Sequence, residues 1–154
     1  MTEATAGDIF AALFAAHHVG DYWVQTDRQA REKGLPGWRG RRACAAHVAG
    51  LTVCKVTALA GLHASGHHVS PSRAALALAA DAASHYWADR RDIDGPHGLP
   101  RLAFAAGKRG FWMLGAPRDG RDDNPVLGTG AHSLDQAWHI GCLLVASLVA
   151  AGGS

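Results

Sequence analysis

The sequence predicts an all-α protein: a four-helix bundle with a long irregular connection before the last helix. Three observations predict it. Apolar residues recur at helical spacing in four stretches, helix start and stop signals bracket those stretches, and no run of alternating β-branched residues competes with them. At 154 residues, the whole chain, 1–154, reads as a single helical domain, large enough to bury a core without disulfides.

The first helix is expected from Thr5 to Lys33, with Asp8 near its start, Arg31 and Lys33 in its last turn and Gly34 as its stop. Leu35-Pro36-Gly37 is a turn. A second helix runs from Arg41 to His63 and ends in Ala64-Ser65-Gly66-His67-His68. Ser70 before Pro71 supplies an N-cap with proline at the first helical position, opening a third helix that reaches Arg91. From Asp92 to Gly130 the chain turns irregular, with Gly95-Pro96, Leu99-Pro100, Pro117 and Asn124-Pro125 as punctuation and one short helix near Arg101 to Lys108. Phe104, Phe111, Trp112 and Met113 want burial, so this stretch reads as an ordered loop or lid. The last helix runs from Ser133 to Ala151.

Composition sets outer limits. With 48% hydrophobic and 18% charged residues, a disordered chain is excluded. A net charge of +2 does not indicate nucleic acid as a partner, although it is compatible with one. Cys44, Cys54 and Cys142 have no CxxC spacing, which argues against a disulfide scaffold or a cysteine zinc site and for a reducing compartment. The N-terminus carries acids where a secretory signal carries lysine or arginine. Ile9 to Ala16, Ala43 to Leu62 and Ala137 to Ala151 are apolar, but the second contains His47 and Lys55. The third is shorter than the roughly 18 residues a membrane span needs. With a mean hydropathy of -0.03, the expectation is a cytoplasmic protein with buried helices, compatible with peripheral membrane attachment.

The anomaly is ten histidines, with aspartates that fall inside apolar helical stretches. Helix one has His17 and Asp21, helix two His47, helix three His85 and Asp89 with Asp81 a turn earlier, and helix four Asp135 and His139. Residues four apart lie on one helix face, so each pair can present an imidazole and a carboxylate to a common point. One such pair alone reads as a surface ion pair or a hydrogen-bonded core group. Burying seven such groups in one small core is costly unless something binds them together. Nitrogen and oxygen donors of this kind suit zinc, with manganese or iron as alternatives. In an up-down bundle His47, the 85/89 pair and the 135/139 pair share one end, whereas the 17/21 pair falls mid-helix unless helix one overshoots or bends. His18 points about 100° away from His17 and reads as a residue supporting the ligands from behind or as packing. His63, His67, His68, His97 and His132 lie in or beside loops, His132 having the best claim among them to a place near the site. Arg28, Arg31, Arg39, Arg41 and Arg42 gather with Lys33 at the expected site end, read first as a solvated helix end and second as a rim that steers an anion.

The stretch His17-His18-Val19-Gly20-Asp21-Tyr22-Trp23-Val24-Gln25-Thr26-Asp27 resembles the opening motif, H-x-x-x-D-[FY]-x-x-Q, of domain-of-unknown-function family 3307. Lys33, His47, His85 to Asp89, and Asp135-Gln136-Ala137-Trp138-His139 resemble its later motifs in order. The resemblance implies a helical, often membrane-associated protein with distant kinship to metal-dependent hydrolases of the zinc phospholipase C and P1 nuclease type. The chain departs from the family in its modest hydrophobicity and in the segment from Asp92 to Gly130.

These readings converge on a metal-dependent hydrolase acting on a small or phosphate-containing substrate, holding one to three ions through His17, Asp21, His47, His85, Asp89, Asp135 and His139. Paired ions about 3.5 to 4 Å apart suit in-line displacement at phosphorus. Asp81 is expected as a further ligand or an orienter of His85, and Gln25 and Gln136 as holders of substrate or water. The alternative is a non-catalytic binding protein, or a membrane-associated accessory protein, with a structural metal or a polar core.

Overall fold

A computed structural model describes residues 1–90, 98–115 and 128–152. The class is all-α. In chain order the elements are β1 (Thr2–Glu3), α1 (Ala6–Val19), a π-helical turn (Gly20–Val24), α2 (Asp27–Glu32), α3 (Gly37–Ala64), β2 (His67–His68), α4 (Pro71–Asp89), α5 (Leu99–Ala105), α6 (Arg109–Trp112) and α7 (Gly130–Ala151). The two strands are a parallel two-residue bridge, Thr2 against His67 and Glu3 against His68, that ties the N-terminus to the α3–α4 turn. The four long elements form a ring in which α1 packs on α3 and α7, and α4 packs on α3 and α7.

The expected continuous first helix is broken into three, and the break has a local cause. Thr5 caps α1 through a reciprocal box with Asp8. After Val19 the backbone widens into the π turn, a form frequent at functional sites. Gln25 then turns extended, with ψ 125°. Thr26 caps α2 in a second box, its side chain receiving the Gln29 N–H while Gln29 bonds the Thr26 N–H. The helix therefore stops one turn past Asp21, so the 17/21 pair lies at its end and needs no overshoot.

The remaining differences are at element ends. α3 starts at Gly37 behind Pro36, earlier than Arg41. The third helix ends at Asp89, where Arg90 leaves helical geometry. The short helix begins at Leu99, after Gly98 with φ 100°, and ends at Ala105. A separate turn of helix, α6, follows it. α7 begins at Gly130, because Thr129 caps it by accepting the His132 N–H. Within the expected lid, Trp112 is buried and Phe104 packs against it, but Phe111 and Met113 are exposed. The signals at Gly95-Pro96, Pro117 and Asn124-Pro125, and His97, lie outside the described residues.

Two apolar clusters enclose a polar layer. Ile9, Leu13, Leu59, Leu78 and Leu143 fill the end near the β bridge. Ala88, Leu99, Ala103 and Trp112 form a smaller cluster at the opposite end. Helices α3 and α7 are long and apolar enough to cross a membrane by length and composition.

Gly20 lets α1 approach α3: a Cβ there would lie 3.3 Å from the Leu51 Cα and would overlap the Leu51 side chain. The Gly20→Ala variant is therefore expected to lose about 1–3 kcal/mol of stability through overpacking, read as a lower denaturant midpoint. An unchanged midpoint would show that this contact does not fix the helix pair.

Candidate metal centre

Each long element delivers its polar residues to the same level. The π turn carries Asp21, the second and third turns of α3 carry His47, the last turns of α4 carry His85 and Asp89, and the first turns of α7 carry Asp135 and His139. His17 enters from the last turn of α1. His17, His47, His85, Asp89, Asp135 and His139 are buried, and Asp21 is nearly so.

Asp21, His47 and His85 offer donor atoms close enough to share one ion, and Asp89 lies against both imidazoles. His47 Nε2 lies 3.1 Å from His85 Nε2, 3.2 Å from Asp21 Oδ1 and 3.3 Å from Asp89 Oδ2. His85 Nε2 lies 3.2 Å from Asp89 Oδ2 and 3.9 Å from Asp21 Oδ1. Ligands about 2.0 Å from a tetrahedral ion are about 3.3 Å from one another. Four of the five separations lie near that edge length, and the His85–Asp21 pair at 3.9 Å is longer. Hydrogen bonding alone does not account for the convergence. Asp21 Oδ1 and Asp89 Oδ2 are buried without a hydrogen bond of acceptable geometry, a costly condition that a cation at the centre would relieve.

A second group adjoins the first. Asp21 turns its other oxygen, Oδ2, to His17 Nε2 at 3.3 Å and receives the Gln136 amide at 3.4 Å. His139 stacks on His85 with ring centroids 3.9 Å apart and faces Asp135 Oδ1 at 3.6 Å. His17 lies within 5.5 Å of His85 and 5.3 Å of His139, centroid to centroid. His85, Asp89 and His139 also offer donor atoms close enough to share one ion. Asp21 thus presents one oxygen to each group.

All seven expected ligands are brought together, and Gln136 joins them. Asp81 is a correction: it lies a turn below His85 but pairs with the fully buried Lys55 Nζ and is neither a ligand nor an orienter of His85. Gln25 sits at the break after the π turn, its amide nitrogen buried without a hydrogen bond and no contact tying it to the cluster. His18 bonds the Phe14 carbonyl and packs on its ring, as expected for a packing residue. His132 meets the Tyr22 hydroxyl at 3.1 Å, outside the cluster. His63, His67 and His68 lie at the opposite end.

Lys33 is the residue that the reading of helix faces missed. Its Nζ lies 2.9 Å from Asp89 Oδ1, leaving Oδ2 for the imidazoles. Its backbone is fixed by Arg90, whose guanidinium donates to the Lys33 carbonyl at 2.7 Å. Gly40 makes room for this turn, since any Cβ there would strike the Leu35 carbonyl. Of the arginine cluster, Arg39 and Arg28 bind Glu32. The Arg39 hydrogen bond, helped by Arg28, holds the Glu32 carboxyl down to about 2. Lys55 also had a signal, for His47, Leu51 and Lys55 are spaced by four along one face of α3.

No family model, no curated protein and no solved structure matches the chain. The functional reading accordingly rests on this geometry.

The Lys55–Asp81 pair makes its own prediction. Removing one partner strands a buried charge, so Lys55→Met should cost about 3–5 kcal/mol, while Lys55→Met with Asp81→Leu should recover most of that loss. Thermal unfolding of both variants checks it. A double variant no more stable than the single one would show that the pair does not act as a unit.

Proposed function

We propose that the chain is a metal-dependent hydrolase cleaving a phosphoester, with zinc the preferred ion and manganese or iron as alternatives. The observation that supports this reading is the approach of His47 Nε2 to His85 Nε2, Asp21 Oδ1 and Asp89 Oδ2 at 3.1, 3.2 and 3.3 Å, with His85 Nε2 3.2 Å from the same Asp89 oxygen. A second ion would draw on His17, Asp21 Oδ2, His139 and Asp135.

Bound there, divalent ions supply Lewis-acid polarisation of a phosphoryl oxygen and a water of lowered pKa. The protein's own groups do the positioning. Gln136 steers Asp21 by its amide, so that each carboxylate oxygen keeps its own imidazole partner. Lys33 fixes the rotation of Asp89 and brings a positive charge beside the centre, where a phosphate would approach. Gln25 has an unused buried amide N–H to offer a substrate oxygen. The two apolar helices support a membrane-associated location for this activity.

A second reading has an observation of its own. The cavities between α4 and α7, between α2 and α3, and between α1 and α3, of 340, 470 and 600 Å³, are not lined by the clustered ligands. A closed centre fits a structural metal in a non-catalytic binding or accessory protein.

Elemental analysis after metal-replete expression, with hydrolysis assays on generic phosphomonoesters and phosphodiesters, separates the readings. The hydrolase reading expects one to three equivalents of metal, and Asp89→Ala should abolish metal uptake and hydrolysis together. Activity lost at full metal occupancy would contradict the ligand assignment. Full occupancy without hydrolysis of any phosphoester by the unaltered protein would favour the accessory reading.

A further inference from the structure

We infer that the helices are embedded in a lipid bilayer, with the arginine-rich end on the cytoplasmic side against anionic head groups. This rests on the protein's surface and is independent of the hydrolase reading.

The distribution of polarity is inverted relative to a water-soluble bundle. Between Arg42 and His63 of α3 the sole formally charged residue is Lys55, which is buried against Asp81. Those residues span about 30 Å along the helix, the thickness of a bilayer's hydrocarbon core. α4 has only the buried Asp81 between Arg73 and Asp89, and α7 has only the buried Asp135. The outward positions are instead Val53 and Val56 on α3, Leu76 on α4, and Leu144, Val145 and Leu148 on α7. Val53 is 65% and Val145 61% exposed. Ionisable groups within the belt face inward and pair with one another, as they must in hydrocarbon.

The belt has two different ends. At the metal-centre end, Arg28, Arg31, Arg39, Arg41 and Arg42 crowd the turn between α2 and α3. Arg39 sits in the first turn of α3 and Arg41 and Arg42 in the next, where the helix dipole disfavours cations. Glu32 occupies Arg28 and Arg39, and anionic head groups would offset the unfavourable placement of Arg41 and Arg42. Arg101 and Arg109 lie at the same end. Trp23, 86% exposed, and Trp38, 72% exposed, border this collar, the position aromatic rings take at a membrane–water boundary. At the opposite end Arg73 is the sole arginine or lysine among the described residues, accompanied by Glu3 and Asp8. An excess of arginine and lysine marks the cytoplasmic side, and anionic lipid there attracts such a segment. The metal centre then lies about 8 Å below the collar, since His47 follows Arg42 by five residues.

The test uses the full chain in native membranes. After an alkaline carbonate wash the protein should stay in the membrane pellet, and recovery in the supernatant would overturn embedding. Val145→Arg should lower the washed-membrane level at least roughly fivefold, because a charge would enter the hydrocarbon. On a water-exposed helix the same change does little, so an unchanged level would also overturn embedding. For orientation, Cys44, Cys54 and Cys142 are replaced by alanine, and either Ala64→Cys or Arg31→Cys is added. In intact spheroplasts a membrane-impermeant maleimide should label Ala64→Cys, and should reach Arg31→Cys only after permeabilisation. The reverse pattern would overturn the orientation. Metal content plays no part in any of these readouts.

Discussion

Everything in this structure is arranged around the desolvation of imidazoles and carboxylates at one level of a helical ring. Taking that many ionisable groups out of water costs far more than the marginal stability of a small protein. Lys33 serves one oxygen of Asp89, and the remaining donors aim at each other. The proposed cation would relieve that cost and would link folding to metal uptake.

That constraint explains local features that would otherwise be defects. The π turn shifts Asp21 relative to His17, and Gly20 lets the turn lie against Leu51. The capping box at Thr26 stops the helix before it can cover the centre and redirects the chain so that Lys33 can reach Asp89. A straight helix to Lys33 would hold His17 and Asp21 far from the end where the other ligands gather.

The clustering of these side chains could be read from the sequence because paired His and Asp at i and i+4 in apolar stretches are conspicuous, and the helices that carry them have ordinary start signals. The break in the first helix was equally present, as Thr26 and Gln29 three apart, but a continuous helical period across it was the stronger pattern. Asp81 shares the face of His85, and helix periodicity gives direction only to within a turn; its pairing with Lys55 depends on α3 and α4 lying side by side. Lys33 falls in the expected last turn of the first helix and resembles a position of the family motif, but its reach to Asp89 depends on the turn after α2, which helix periodicity does not give. The hydropathy average counts His47, Lys55, Asp81 and Asp135 as polar although all four are buried, so it does not report which residues the helices turn outward.

X-ray absorption spectroscopy at the edge of the ion retained by the purified protein tests the central claim most directly. The account predicts a first shell of nitrogen and oxygen donors at about 2.0–2.1 Å, with the outer-shell scattering of at least two imidazoles and no sulfur. A sulfur shell, a shell of water oxygens alone, or the absence of any retained ion from metal-replete protein would contradict it.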